Sequence, residues 1–158
     1  MECELNGKKL KYEGCKIWAW REKQGNRILK VPKWVEMKGT INKYGYRVVK
    51  INNRHFYSHR IIYYLHNPQW DIHDSSMSNF IDHIDRNPFN NSIENLRVVS
   101  HSQNMWNQDR KGYSFNKQEG KYLAKIRVDG KQKYLGYFTN EQDARDSYLK
   151  AKREYHSI

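Results

Sequence analysis

The segment 80–107, FIDHIDRNPFNNSIENLRVVSHSQNMWN, contains the side chains of this chain that are best suited to catalysis. Asp82 offers an anionic oxygen, which can bind a divalent cation that stabilises negative charge on a leaving oxygen. His83 offers an imidazole, a side chain that is largely neutral at physiological pH and can take a proton from water. Asn104 adds a neutral carbonyl oxygen as a second ligand. These residue types suit metal-assisted hydrolysis of a phosphodiester.

The spacing of these residues predicts two strands followed by a helix. Residues 80–83 form a short strand, and residues 95–99 form a second strand after an Asn-rich loop. Ser100 then provides an N-cap, with Gln103 three residues later in the position of a capping box. Asn104 lies in the first turn of this helix, where we expect it to point toward the strand that carries Asp82. The segment is therefore predicted to be a ββα unit with one metal ion in its cleft.

The pattern resembles the HNH nuclease family, most closely its phage and intron-encoded homing or nicking branch. The family signature is Asp-His, then NN-x-x-x-NLR-x-V, then Asn-x-x-Asn, and it is matched by residues 82–83, 90–99 and 104–107. The resemblance implies that His83 is the general base and that Asp82 and Asn104 are the ligands of one ion. It also implies that Asn95 supports the long loop and so fixes the His83 backbone.

The ligand at position 104 bears on the choice of metal. The family often has histidine there, whereas this chain has an oxygen donor, Asn104. Oxygen donors favour hard cations over zinc or nickel. We therefore expect one Mg²⁺, or Mn²⁺, in each active site and no small-molecule cofactor.

Several of these residues also have a simpler interpretation. Asp and Asn commonly occur in turns and caps, so each match taken singly is weak, and only the combined spacing favours a nuclease. Two further residues have open roles: Arg97 in the second strand and His101 at the start of the helix. Either of them contacts the scissile phosphate, or both are ordinary residues of these elements. The other histidines are expected to be structural or solvent-facing: His55, His59, His66, His73 and His156.

The distribution of charge predicts a polyanionic partner. Residues 1–79 carry a net charge of +8 and residues 108–158 carry +5, whereas residues 80–107 carry −1. A basic excess attracts nucleic acid through counterion release and long-range steering. The flanks are therefore expected to bind double-stranded DNA around a catalytic centre that is not itself basic. No apolar run approaches the roughly 18 residues of a membrane span, so a membrane partner is not expected.

The C-terminal part predicts a three-stranded antiparallel sheet and a helix. Strands are expected at 113–116, 122–128 and 132–138, the last two joined by the hairpin turn Asp129-Gly130. Thr139 is the expected N-cap of the helix, with Gln142 in the box position. An apolar stripe should pack this helix against one face of the sheet; it consists of Ala144, Tyr148, Ala151 and Tyr155.

This module resembles the ethylene-response-factor, or Apetala-like, type of DNA-binding domain. The residues that carry the resemblance are Tyr113-Ser114-Phe115, 124–128, 135–138 and 144–148. The resemblance implies that the outward side chains Lys125, Arg127 and Tyr134 read the major groove. Two features depart from the family pattern: Tyr122 stands where tryptophan is usual, and the first strand is short. The alternative is a basic, solvated sheet face with no ligand.

The N-terminal part is predicted to contain a hairpin and a helix before the nuclease core. Residues 44–51 and 54–58 flank an Asn52-Asn53 turn, and residues 59–66 read as a short helix. Residues 45–48 and 58–60 also resemble the segment that precedes the HNH core in phage enzymes. Arg47 and Arg60 in these stretches are expected to contact DNA.

The sequence as a whole predicts an α+β protein. A ββα-metal nuclease core is preceded by the hairpin and helix, and followed by the small three-stranded antiparallel sheet plus helix. We expect a first domain at 1–107 with its core at 80–107, a linker at 108–111 and a DNA-binding module at 112–158. Trp18, Trp20 and Trp34 are expected to anchor a small sheet of unassigned function.

The predicted function is a metal-dependent endonuclease acting on double-stranded DNA. We expect a phage homing or nicking enzyme in the cytosol of an infected host, as a monomer or homodimer. Two alternatives remain open: a sequence-nonspecific nuclease, and a DNA-binding regulator with an inactive HNH core. With only Cys3 and Cys15, a structural zinc site or disulfide is not expected.

Overall fold

The computed structural model describes residues 1–156 and shows a mixed α+β chain. Residues 157–158, at the end of the predicted DNA-binding module, lie outside the described part. The chain divides into two compact units, Met1–His101 and Ser102–Ile158. No helix in the described range is both long enough and apolar enough to cross a lipid bilayer.

The first unit begins with a four-stranded antiparallel meander. Its strands are β1 (Glu2–Leu5), β2 (Lys8–Glu13), β3 (Lys16–Gln24) and β4 (Arg27–Glu36), in that order across the sheet. A turn at Asn6-Gly7 joins the first two, with φ of 50° and 68°. The three tryptophans lie on β3 and β4, as the sequence predicted, and the rings of Trp20 and Trp34 meet edge to face at 5.3 Å.

A second small sheet and a helix follow in the same unit. They are β5 (Thr40–Ile41), β6 (Arg47–Ile51), β7 (Arg54–Tyr57) and α1 (Ser58–His66). The hairpin between β6 and β7 turns at Asn52 and Asn53, whose φ angles of 42° and 66° belong to the left-handed region that asparagine tolerates. The hairpin and helix predicted from the sequence are therefore present.

The predicted core motif consists of β8 (Phe80–His83), a 3-10 turn (Ile93–Asn95), β9 (Leu96–Val99) and α2 (His101–Asn107). The two strands pair antiparallel, with Asp82 directly opposite Arg97. The division between the two units falls inside α2, immediately after His101. The two strands and the following helix thus occur in the predicted order, whereas the assembly of a metal cleft from them remains a prediction.

One apolar core supports both the N-terminal sheet and the strands of the motif. Leu10 of β2, Ile51 of β6 and Ile61 of α1 are almost completely buried, and the same cluster includes Ile81 of β8 and Leu96 of β9. Burial of apolar surface is the main stabilising term in folding. The motif is therefore held by a core that the preceding eighty residues largely supply.

The second unit contains β10 (Tyr113–Asn116), β11 (Lys121–Val128), β12 (Lys131–Phe138) and α3 (Glu141–Tyr155), with the strands in sequence order. Ile126 packs against Tyr148 and Ala151 of α3, as predicted. The predicted N-cap is wrong by one residue. Asn140 caps α3, because its side chain accepts the backbone N–H of Asp143, and the helix begins at Glu141.

A bulge in β12 determines which side chains face away from α3. Ala124 pairs with Gly136 and Lys125 pairs with Tyr134, so Leu135 is an extra residue. Leu135 packs into the core with Ile126, whereas Tyr134 and Tyr137 are 67% and 50% exposed. Both tyrosines therefore lie on the outer face with Lys125.

The segment predicted as a linker, 108–111, is bound to α3 within the second unit. Arg145 of α3 donates to the backbone oxygens of Arg110 and Lys111, and Lys152 donates to that of Gln108 at 2.7 Å. Arg145 also forms an ion pair with Asp109 at 2.7 Å. These residues are thus fixed to the helix, and the domain boundary itself stays a prediction.

Gly112, at the start of the sheet, is the glycine with the least space around it. Its φ is +76°, and a Cβ there would lie 2.0 Å from the Tyr148 ring. We predict that Gly112→Ala destabilises the second unit by roughly 3 kcal/mol or more, because both backbone strain and overpacking oppose it. Gly120 is the matched control, since its φ is +60° but its surroundings are open. Gly120→Ala should cost only about 1 kcal/mol in urea unfolding. Equal losses would show that the Tyr148 contact does not matter.

Candidate active site

Asp82 and His83 lie next to each other on β8 and are both buried, at 6% and 5% exposure. The Asp82 Oδ2 atom accepts hydrogen bonds from Nε and Nη2 of Arg97 at 3.0 and 2.9 Å. This forms an ion pair across the β8–β9 ladder, in which the carboxylate is almost fully enclosed. Arg97, considered above as a phosphate contact, therefore orients Asp82 in this structure.

The imidazole of His83 is held by the loop that follows it. Its Nε2 atom lies 3.0 Å from Oδ1 of Asn91. In the tautomer that suits this contact, Nε2–H donates to the amide oxygen, which leaves the ring lone pair on Nδ1. Asn91 was matched in the sequence only as part of the NN pair, and no role was predicted for it.

A second histidine, His59 of α1, packs against His83. The two rings meet edge to face with their centroids 5.1 Å apart, and His59 stacks on Tyr57 at 5.4 Å. Tyr46 lies beside both imidazoles, at 5.3 and 5.9 Å. Burial, with smaller contributions from the neighbouring His83 and Arg60, lowers the pKa of His59 to about 3. His59 is therefore a neutral part of the wall around His83.

The sequence-based interpretation placed His59 among the structural or solvent-facing histidines and did not connect it with the site. One signal was available, because His59 lies one turn before Ile62 on the buried side of the predicted helix. Its contact with His83, 24 positions away, depends on how α1 packs against β8, and local spacing carries no information about that.

The loop between β8 and β9 is organised around Asn95. Its side-chain oxygen accepts the backbone N–H of Asp85 at 3.0 Å, and its amide donates to Asp85 Oδ1 and to the Asn90 backbone oxygen at 2.9 and 2.8 Å. Its own backbone oxygen accepts the N–H of Ile84. Donors from Asn90, Asn87 and Asn95 lower the pKa of the Asp85 carboxyl. These contacts are those expected of a residue that supports the loop next to His83.

The other predicted residues of the motif are placed as follows. His101 packs on the Phe80 ring at 5.3 Å, and its Nδ1 atom is buried without a hydrogen-bond partner in the described part of the chain. Asn104 lies on α2 in the second unit. Within residues 1–156, no group of three or more His, Cys, Asp or Glu side chains is arranged to hold a metal.

Four of the residues predicted to bind DNA are exposed to solvent. Lys125, Arg127 and Tyr134 are exposed on the outer face of the C-terminal sheet. Arg47 is also exposed, although its guanidinium donates to the Lys38 backbone oxygen.

Arg60 is half-buried and bound to other parts of the chain. Its guanidinium donates to the backbone oxygens of Asn79, Ile72 and Asp74 at 2.9 to 3.1 Å. It also stacks over Trp70 at 4.7 Å. Three of its five donors are used in this way, so Arg60 fastens the loop after α1, and its predicted contact with DNA stays a prediction.

Residues 56–106 match the family model described as HNH endonuclease. They include β8, β9, α1 and nearly all of α2. This part of the chain is therefore an HNH endonuclease family domain. The match ends at residue 106, so it gives no support to an ethylene-response-factor type of domain at the C-terminus.

A relative found by comparison is protein 3.8 of Escherichia phage T7. The identity is 34% over 61 residues, which are 34% of this chain and 50% of the phage protein. The chain thus spans about half the length of this relative. No solved structure matches the chain.

The depressed pKa of His59 predicts a pH-dependent loss of stability. In the unfolded chain a histidine binds a proton below about pH 6.5, whereas folded His59 stays neutral down to about pH 3. Between these values the unfolded state binds more protons, so stability falls as the pH falls. His59→Gln removes this term. In urea unfolding, the stability advantage of wild type over His59→Gln should shrink by about 2 kcal/mol from pH 7.5 to pH 5. A difference that does not change with pH would contradict the burial of a neutral imidazole.

Proposed function

We propose that this chain is a metal-dependent endonuclease that hydrolyses phosphodiester bonds in double-stranded DNA. The observation that carries the proposal is that the HNH match at 56–106 contains a buried aspartate and histidine side by side on β8. Burying two such polar groups is costly unless they have partners, and Arg97 and Asn91 provide them. The position of this buried polar pair inside the HNH match supports a functional role for it.

In this proposal His83 acts as the general base. A neutral imidazole can accept a proton from water as that water attacks the phosphorus, and this kind of proton transfer contributes typically 10²- to 10⁴-fold in rate. Asn91 fixes the ring and its tautomer, while His59 and Tyr46 confine it from the other side. Asn95 keeps the adjoining loop in place. The side chains around His83 thus hold it in one orientation before substrate arrives.

The residues fit a hard divalent cation by the chemistry of their donors. Asp82 supplies a carboxylate that is kept in position by Arg97, and Asn104 is the proposed second oxygen ligand. Mg²⁺ commonly binds one or two protein oxygens and completes its shell with water and substrate phosphate oxygens, which agrees with the small ligand set here. When bound, the ion would stabilise the negative charge that develops on the departing oxygen. Mn²⁺ is the alternative ion.

The outer face of the C-terminal sheet is the proposed reading surface. Lys125 and Arg127 alternate with the buried Ile126, so they point away from α3, and Tyr134 lies opposite Lys125. Basic side chains contact phosphates or the acceptors on guanine, and exposed aromatic rings add apolar contacts to bases. We propose that this module resembles the ethylene-response-factor type in function and gives the nuclease its sequence preference.

The biological role that we propose is that of a phage homing or nicking endonuclease acting in the cytosol of the infected host. The similarity to a phage T7 protein supports this assignment. A sequence-nonspecific nuclease would give a smear of products in place of discrete bands. A DNA-binding regulator with an inactive core would bind without cutting.

We expect His83→Ala to reduce cleavage by about 10²- to 10⁴-fold and to leave DNA binding nearly unchanged, because the base is lost without a phosphate contact. Conversion of supercoiled plasmid in Mg²⁺ and in excess chelator measures the cleavage. Fluorescence anisotropy of a labelled duplex measures the binding.

The matched control is His55→Ala, because His55 is exposed on β7. This variant should cleave like the wild type. If His83→Ala retains activity within a few fold of wild type, His83 is not the base. If wild type cuts equally well in chelator, the proposed role of the metal fails.

The double change Lys125→Ala with Arg127→Ala tests the reading surface. Each phosphate contact that is lost lowers the slope of log affinity against log salt by roughly 0.9, so the slope should become shallower. The pattern of discrete cuts should also become less selective if these side chains reach base edges.

The control pair is Lys150→Ala with Arg153→Ala, which removes the same two residue types from the exposed side of α3. It should leave affinity, salt slope and cutting pattern unchanged. If both pairs behave alike, the sheet face is a solvated surface without a DNA contact.

A further inference from the structure

Strands β3 and β4 extend beyond their neighbour in the N-terminal sheet. β2 pairs with β3 only between Lys16 and Ala19, whereas β3 and β4 stay paired beyond that point, at Arg21 with Lys33 and, after a register shift, at Lys23 with Ile28 and Gln24 with Arg27. Residues 20–34 therefore form a two-stranded ribbon, named here the β3–β4 ribbon, in which β4 bulges at residues 29–32. The ribbon turns at Gly25 with a φ of +60°. A two-stranded ribbon is an element that the major groove of B-DNA admits.

The ribbon is strongly basic. It carries five cationic side chains against one acidic residue, Glu22, which gives a net charge of +4. All five are exposed: Arg21, Lys23, Arg27, Lys30 and Lys33. Arg21 lies directly opposite Lys33 in the ladder. Like charges at opposite positions destabilise a strand pair, and a bound polyanion relieves that repulsion.

These cations have no structural task in the described part of the chain. Elsewhere in the unit, Lys16 pairs with Glu36, Arg97 pairs with Asp82, and Arg60 binds backbone oxygens. By contrast, no hydrogen bond or ion pair to another residue within 1–156 engages the side chains of the five ribbon cations. The fold does not require their charge, so a contact outside the chain is the better explanation for it.

Two apolar side chains lie between these cations. Ile28 is 71% exposed and Val31 is 75% exposed, and both are on β4. An apolar contact with sugars or with the thymine methyl is a regular part of groove recognition, next to basic side chains on phosphates. Their exposure is consistent with a surface that is covered by a ligand having both charged and apolar parts.

We propose that the β3–β4 ribbon is a second DNA-binding element, which enters a groove of double-stranded DNA with its cations on the phosphates. The proposal rests on the proposed function, and it adds a DNA contact in the same unit as Asp82 and His83. It also assigns a role to a region that sequence patterns leave unexplained. The ribbon is separate from the C-terminal sheet, so each can be tested with the other intact.

The competing explanation is protection of a sheet edge. β4 is an edge strand, and lysines and a proline on such strands prevent pairing between copies of a chain. Pro32 and Lys30 would serve that purpose without any DNA. Loss of the charges would then cause self-association and leave DNA affinity as it was.

The test is the pair Lys23→Ala with Arg27→Ala in the full chain, compared with Lys150→Ala with Arg153→Ala. Both pairs reduce the net charge from +12 to +10 by removing one lysine and one arginine. A third variant, Lys23→Arg with Arg27→Lys, keeps the charge. Duplex binding is measured by fluorescence anisotropy over a range of salt concentrations, with light scattering to follow self-association.

The variant Lys23→Ala with Arg27→Ala, called the ribbon pair, should bind DNA more weakly at each salt concentration. Its slope of log affinity against log salt should be shallower by up to about 1.8, which is about 0.9 for each lost phosphate contact. The α3 pair and the charge-keeping variant should retain the wild-type slope. A ribbon pair with wild-type affinity and slope overturns the inference, and self-association of that variant would then favour edge protection.

Failure of the proposed function looks different. If wild type binds the duplex and does not cut plasmid in Mg²⁺, the catalytic proposal fails, while the slope of the ribbon pair still decides the inference. If wild type does not bind DNA at all, both are overturned.

Discussion

The need to satisfy two buried polar side chains shapes most of the first unit. Asp82 and His83 are nearly inaccessible on a four-residue strand, and a charge or an imidazole buried without partners is strongly destabilising. Arg97 forms an ion pair with the Asp82 carboxylate across the ladder, and Asn91 forms a hydrogen bond with the His83 ring. The hydrogen bonds of Asn95 to Asn90 and Asp85 hold the loop between β8 and β9, which carries Asn91, in place. The apolar core shared with the N-terminal strands then supplies the stability that this polar arrangement lacks.

Local sequence patterns predicted those elements whose causes are local. The Asn52-Asn53 and Asp129-Gly130 turns need left-handed backbone, which these residue types supply, and the observed φ angles are all positive. The α3 helix was predicted, but its cap was placed at Thr139 and lies at Asn140. Both residues are good caps, and the difference of one position depends on where β12 ends. The strands of the motif were predicted from spacing alone and begin and end close to the expected residues.

The features that sequence reasoning missed are set by contacts between distant parts of the chain. The apposition of His59 and His83 requires α1 to dock on β8. Arg60 was expected at DNA because it is basic and lies beside the motif, yet three of its donors turn inward to backbone oxygens of a later loop. A sequence gives the charge of a side chain but not the direction in which it points. The same reason explains why the bulge at Leu135, which turns Tyr134 and Tyr137 to one face, was not foreseen.

The bulge in β12 also bears on how this module can change in length during evolution. Between the Asp129-Gly130 turn and the bulge, residues 131–134 of β12 pair with β11 in the register that the turn sets. Beyond the bulge, residues 136–138 pair in a register shifted by one residue, which begins with Gly136 opposite Ala124. A shift of one residue normally moves a whole strand segment to the opposite face of a sheet. Here the loss of Leu135 would leave Tyr134 opposite Lys125 and Gly136 opposite Ala124, in an unbroken ladder. Homologous modules can therefore differ by a one-residue gap at position 135 and still present the same outer surface.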